Sequence, residues 1–232
     1  MISIILATFN EKENIQDMID SLTKEIKEPL EIVVVDDNSP DGTADLVAGL
    51  KYDHVTLIRR KKTKGLATAF NRGIIESKGD IVGWMDSDMC MPPALVPKMI
   101  SLLKEYDAVV GSRYVKGAKD TRAPIRTITS TMINGLAGFV LGYGIKDYDS
   151  GFIVLKRSVF NEVTLYPKGY GSYFIELLFD IRKKGMTVKE IPYTFNERSK
   201  GTSKSFSSWF NLITLGMEYV IRIFKTRLKR TR

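Results

Sequence analysis

One pattern limits what this chain can fold into. Between residues 2 and 111, apolar runs of strand length alternate with amphipathic stretches of helix length. Residues 2–9, 31–35, 55–59, 80–85 and 108–111 read as strands, and residues 11–27, 41–50, 66–77 and 94–106 as helices. In the first of these helices Ile15, Met18, Ile19, Leu22 and Ile26 share one face, as a helical period requires. Strand and helix alternating at this pitch predict βαβ units, hence an α/β fold on an open, mostly parallel sheet flanked by helices. Ligands of such sheets collect at the carboxyl ends of the strands. That points to residues 8–11, 36–42, 59–65 and 86–90.

The second half is less regular. Residues 122–141, 157–162 and 173–184 read as helices, 151–155 and 187–191 as strands, and 196–208 as a polar, mobile loop. Residues 209–228 form a last helix, with Trp209, Ile213, Met217, Val220 and Phe224 as an apolar stripe. It runs into a basic tail: residues 222–232 hold six Lys or Arg and no acid, and they supply most of the net charge of +8. The remaining body carries only +2, which argues against a nucleic-acid binder. One cysteine and one histidine exclude a disulfide framework and His-pair or Cys-based zinc sites. His54 reads as a surface residue at a strand start. Met1 leads straight into an apolar strand without a positive n-region, and no run reaches the roughly 18 apolar residues of a membrane span. The expectation is an intracellular chain without an integral anchor of its own.

The common nucleotide and nucleophile fingerprints, GxGxxG, GxxxxGK[ST] and GxSxG, are absent. The strand ends are acidic instead, with Asp36-Asp37 after one and Asp86-Ser87-Asp88 after another. Carboxylates at i and i+2 leaving a sheet either serve a solvated turn or aim together at one hard cation, Mg²⁺ or Mn²⁺. Asp37 either belongs to the turn chemistry of Asn38, Asp41 and Gly42 or accepts hydrogen bonds from a base or ribose.

The segments ATFNEKENI, VVVDDNSPDGT, KGLATAFNRGI, DSDMCMPP, GSRYVKG, DSGFIVLKRSVF and ERSKGTSK follow one another over residues 1–206. Their order resembles family 2 glycosyltransferases, and most of all the dolichyl-phosphate or polyprenyl-phosphate mannose synthase group. The resemblance implies a Rossmann-like GT-A fold, a nucleotide-sugar donor, a divalent cation (Mg²⁺ or Mn²⁺) and inversion at the anomeric carbon. It implies that Ala7, Phe9 and Glu11 cradle the donor nucleotide, with Val35 and Asp37 at the base, and that Asp86 and Asp88 hold the metal and diphosphate. The family's next ligand position falls on Cys90, a poor partner for Mg²⁺. Arg113, Arg126, Ser130 and Arg198 match positions used for the lipid phosphate, and Lys204 lies in the loop that would close over them. Asp88 and the three arginines are therefore the expected catalytic set.

A hydroxyl acceptor needs a base, and many family 2 enzymes carry a Glu-Asp pair for it; this chain has no ED dipeptide. A phosphate monoester, with a second pKa of about 6, needs none. The absence favours a lipid-phosphate acceptor, with Glu176 and Asp149 as alternative bases. Residues 1–205 are then the expected catalytic domain. Residues 206–232 are an amphipathic helix and basic tail that lies at the membrane interface, packs on its own domain, or joins a further segment. Mannose from GDP-mannose is preferred over glucose from UDP-glucose as donor. The expected location is peripheral, on the cytoplasmic face of a membrane, with a membrane-anchoring subunit as a possible partner. A non-catalytic nucleotide-sugar-binding module is the alternative of a different class.

Overall fold

The structure is a computed structural model that describes residues 1–196 and 209–229, without the side chains of 209–213. The elements run β1 (Ile2–Thr8), α1 (Ile15–Glu25), β2 (Leu30–Asp36), α2 (Thr43–Gly49), β3 (Val55–Arg59), α3 (Leu66–Glu76), β4 (Ile81–Asp86), α4 (Val96–Leu102), β5 (Ala108–Ser112) and β6 (Lys119–Asp120). They continue α5 (Pro124–Leu141), β7 (Ile153–Lys156), α6 (Tyr173–Lys183), β8 (Val188–Pro192), β9 (Thr194–Phe195) and α7 (Trp209–Leu228). Short 3₁₀ turns occur at Pro93–Leu95, leading into α4 within the expected 94–106 helix, and at Arg157–Asn161, where an α-helix was expected over 157–162. In the first, Pro92 holds an extended φ/ψ and Pro93 opens a tight turn before α4.

Seven strands form one sheet in the order β3-β2-β1-β4-β7-β5-β8. Every pairing in it is parallel except the two made by β7, which runs antiparallel between β4 and β5. The predicted α/β architecture is therefore present. Central strands β1 and β4 are buried on both faces and read as continuous apolar runs; edge strand β3 is only half-buried. Strand alternation divides the core into two layers. Ile4, Leu6, Ile32 and Val34 pack with Met18, Ile19 and Met99 of α1 and α4. Ile5, Val33 and Val35 pack with Phe70, Trp84, Phe174 and Ile223 on the other side. The second layer requires α3 to lie close on the sheet: a Cβ at Gly73 would fall 2.3 Å from Ile5 Cγ2.

The last helix packs on the domain, against α5 and α6. Its buried face is Tyr219, Ile223 and Thr226. The predicted stripe is not that face: Met217 and Phe224 are 58% and 48% exposed, and Val220 is half-buried. Polar contacts fix the inward face instead. Ser172 Oγ donates to Glu218 Oε1 at 2.6 Å, and Glu176 of α6 accepts from Arg222 at 3.1 Å and Lys229 at 2.7 Å. No helix among the described residues is long and apolar enough to cross a membrane. His54 lies beside β3, facing Thr23 Oγ1 at 2.9 Å and stacked on Tyr52.

Candidate active site

A cavity of about 740 Å³ opens at the carboxyl ends of β1, β2, β4 and β5. Ala7, Phe9, Glu11, Asp37, Asp86, Asp88, Cys90, Arg113, Arg126 and Ser130, ten of the residues singled out from sequence, line it together. Val35 does not: its side chain points into the core beneath the sheet. Arg198 and Lys204 lie outside the described residues. Glu176 is also away from the cavity, and its pairing with Arg222 of α7 and Lys229 just past it removes it as a candidate base.

Beside the ends of β1 and β2, Thr8 Oγ1 donates to the buried Asp36 carboxylate at 2.9 Å, which joins the two strands. Glu11 is buried and accepts from Asn14 Nδ2 at 3.1 Å, so it stiffens the first loop. The Asp37 carboxylate accepts from Arg60 Nε and from the Gly65 backbone N–H, both at 2.7 Å. It thereby pins the basic 60–65 loop against the cavity. Lys64 from that loop reaches the wall, 5.3 Å from the centre of the Phe9 ring.

Asp86 ends β4. Beyond it Met89 takes a left-handed φ of 63°, a conformation that costs a side chain energy, and the Cys90 N–H closes back on Asp88 Oδ1 at 3.1 Å. The turn brings both carboxylates to one wall. Among the described residues no cluster of three or more His, Cys, Asp or Glu forms a metal cage. Two hard carboxylates without a cage suit Mg²⁺ or Mn²⁺, which complete their shells with water and substrate phosphate. They do not suit a softer ion held by Cys90.

The opposite wall is cationic. Arg113 is 3% exposed at its side chain and forms a forked pair with the fully buried Asp147, Nε to Oδ2 at 2.9 Å and Nη2 to Oδ1 at 2.7 Å. Burial alone would lower its affinity for a proton, but Asp147 overrides this and holds the guanidinium well above its ordinary value. Nη2 also donates to Asp149 O at 2.8 Å, while Nη1 makes no hydrogen bond among the described residues. Arg126 lies one helical turn before Ser130 on α5, so both face the cavity. Ser130 Oγ is buried there without a partner among the described residues. An orphaned buried hydroxyl is costly and marks a place for a ligand acceptor or donor.

Three contributors went unread in the sequence. Arg122 just precedes α5, pairs with Asp120 and lies 4.9 Å from the Phe195 ring centre. Its signal is weak, one Arg in a polar connection. Lys64 closes a basic run over residues 59–64. Tyr219 of α7 gave no signal, because it lies off the apolar stripe.

A family model, "Glycosyl transferase family 2", matches residues 3–164. A dolichol-phosphate mannosyltransferase of Pyrococcus furiosus is 38% identical over 209 residues, which cover 88% of this chain and 58% of that protein. A polyprenol monophosphomannose synthase of Mycolicibacterium smegmatis is 32% identical, over 88% of this chain and 81% of its own. The chain thus spans little more than half the length of the first relative. Among solved structures, glucosyl-3-phosphoglycerate synthase from Mycobacterium tuberculosis, in complex with Mn²⁺, UDP and glucosyl-3-phosphoglycerate, superposes with a TM-score of 0.74. It is 19% identical, over all of this chain and 81% of its own, so the likeness shows the GT-A fold. With the family model spanning most of the sheet and its loops, the chain belongs to glycosyl transferase family 2.

Proposed function

We propose that the chain transfers mannose from GDP-mannose, with inversion, to a polyprenyl or dolichyl phosphate. The observation that carries this reading is the two-walled cavity. Asp86 and Asp88 form one wall; Arg113, Arg122, Arg126 and the unpartnered Ser130 Oγ form the other. The named relatives, both of which act on a polyprenol or dolichol phosphate by name, support it.

Asp86 and Asp88 would hold Mg²⁺ or Mn²⁺, which when bound neutralises charge on the leaving nucleoside diphosphate. The first loop, with Phe9 and Glu11, and the 60–65 loop pinned by Asp37 enclose the nucleotide. Arg113 presents its Nη1 edge, and Ser130 its hydroxyl, to the acceptor phosphate, with Arg126 alongside; Arg198 and Lys204 are assigned to the same phosphate from sequence. Arginine suits the task because its planar fork matches phosphate oxygens. A dianionic phosphate oxygen attacks C1 of the sugar, the new C1–O bond forms as the bond to the diphosphate breaks, and no proton need be removed. The work of the arginines is positioning and electrostatics.

The acceptor's prenyl chain stays in a bilayer, so the enzyme works as a peripheral protein on a membrane's cytoplasmic face. Ile128 and Met132 of α5 and Met217, Phe224 and Leu228 of α7 are exposed apolar side chains on two packed helices, and Lys225 and Arg227 of α7 suit anionic headgroups.

The test is transfer of labelled sugar to undecaprenyl phosphate from GDP-mannose and, separately, from UDP-glucose, with Mn²⁺ present. Lipid-linked mannose is expected, together with loss of transfer in a folded Asp88→Ala variant. Lipid-linked glucose alone would keep the fold and mechanism and change the donor. Wild-type turnover by Asp88→Ala would remove the assignment of that wall.

A further inference from the structure

The acceptor wall contains a carboxylate that the proposed reaction does not use. Asp149 lines the cavity with its side chain 19% exposed, and its Oδ2 lies 3.7 Å from Arg113 Nη2. Arg113 is already neutralised by Asp147. A second carboxylate beside it competes with an incoming phosphate for the same guanidinium. The phenol of Tyr219, from α7, stands beside Asp149 on the same wall of the cavity. Both groups press on Gly171, where a Cβ would fall 2.0 Å from Tyr219 Oη and 3.1 Å from Asp149 Oδ1. That close approach explains a glycine here, and Glu218, the neighbour of Tyr219, anchors α7 to Ser172 in the same loop.

We propose that Tyr219 is a positioning residue for the acceptor: its hydroxyl ties Asp149 back to α7 and so keeps the Nη1 edge of Arg113 open for the acceptor phosphate. The proposal rests on the lipid-phosphate reading above. It gives the last helix a role inside the site as well as on the surface. Without the hydroxyl, the nearest donors left to Asp149 are those of Arg113, and the carboxylate swings onto the edge the phosphate needs. The charged and titratable groups around the pair are Arg113, Asp147, Arg122, Tyr170 and Tyr173.

The test is a double-mutant cycle on the full chain, read as KM against kcat and, in parallel, by calorimetric binding of the short probe citronellyl phosphate. Tyr219→Phe keeps the ring in place. It is expected to raise the KM for acceptor phosphate about five- to tenfold, with kcat and the donor KM within about twofold. Adding Asp149→Asn to that variant is expected to restore the acceptor KM, because the competing charge is gone. A purely structural role for Tyr219 predicts no such rescue. An unchanged acceptor KM in Tyr219→Phe, a uniform fall in kcat, or absence of rescue overturns the proposal alone. A wild-type chain that neither uses nor binds a prenyl phosphate overturns the function reading and this proposal with it.

Discussion

Asp147→Asn tests the physical basis of the cationic wall. Asp147 is fully buried and takes three hydrogen bonds from Arg113: the backbone N–H at 2.8 Å, Nε at 2.9 Å and Nη2 at 2.7 Å. With charge centres about 4 Å apart and an effective dielectric of 20, the attraction is about 4 kcal/mol. The amide keeps the shape and one acceptor oxygen, but it turns an NH₂ toward a guanidinium that can only donate. Breaking one partner of a buried pair typically costs about 3–5 kcal/mol, since the surviving charge stays desolvated. Asp149, whose Oδ2 already stands 3.7 Å from Arg113 Nη2, offsets little of that. The expected net loss is about 3 kcal/mol. For a chain of this size it lowers Tm by about 6–12 °C and shifts the urea midpoint at an unchanged m value. The double variant Arg113→Met/Asp147→Leu removes both charges of the pair and should regain at least half of the loss while losing transfer. A loss below about 1 kcal/mol in Asp147→Asn would show that Arg113 does not depend on Asp147, and the argument for a pre-set phosphate edge would fail.

Asp149→Asn is expected to stabilise the protein at neutral pH. Burial pushes the Asp149 carboxyl up, against the pull of Arg113 and the Tyr219 hydroxyl. The native state therefore keeps this proton to higher pH than the unfolded chain, and stability falls as pH rises above the ordinary carboxylate range near 4. Urea titrations should show the variant more stable than wild type at pH 7 and level with it near pH 4; equal curves at both pH values would refute the assignment. On the outer surface, Met217→Ser/Phe224→Ser removes two half-exposed apolar side chains from α7. If that surface enters a bilayer, the pair loses about 2 kcal/mol of transfer energy, so partition into anionic vesicles weakens roughly thirtyfold with unfolding unchanged. Undiminished co-sedimentation would place the membrane contact elsewhere.

Much of this was legible because it is local. The β1 to β5 half reads from periodicity and punctuation: Gly65 before α3, Pro92-Pro93 before α4, continuous apolar runs in strands covered on both faces. The acidic strand ends were legible for the same reason, since a strand's carboxyl end fixes where its next residues point. What tertiary structure decides was not legible. The run at β7 reads as a strand, but its antiparallel insertion between β4 and β5 depends on partners far along the chain. The β6–β9 pair, two residues on each side, leaves no period to detect. Val35 and Asp37 were assigned together from the resemblance, yet Val35 is still inside β2 and packs in the core, while Asp37 lies just past the strand end and lines the cavity.

For α7 the apolar stripe was legible, with interface, self-packing or a further segment left open, but the face that packs on the domain was not. Hydrophobic periodicity assumes that a helix buries its most apolar face. Here the inward face carries Glu218, Tyr219, Arg222, Ile223 and Thr226, and polar partners hold much of it: Ser172 and Glu176, with Asp149 beside Tyr219. A buried polar group is costly unless paired, so most of such a face is specified by its partners and stays invisible until they are in place. The apolar stripe is then left over, facing outward beside α5. A helix that spends polar residues on its own domain and keeps Met217, Ile221, Phe224 and Leu228 exposed is poorly explained by self-packing alone. It is well explained if the outer face meets lipid while Tyr219, on the inner face, touches the acceptor wall. One helix then connects the surface where the acceptor arrives with the site where its phosphate reacts.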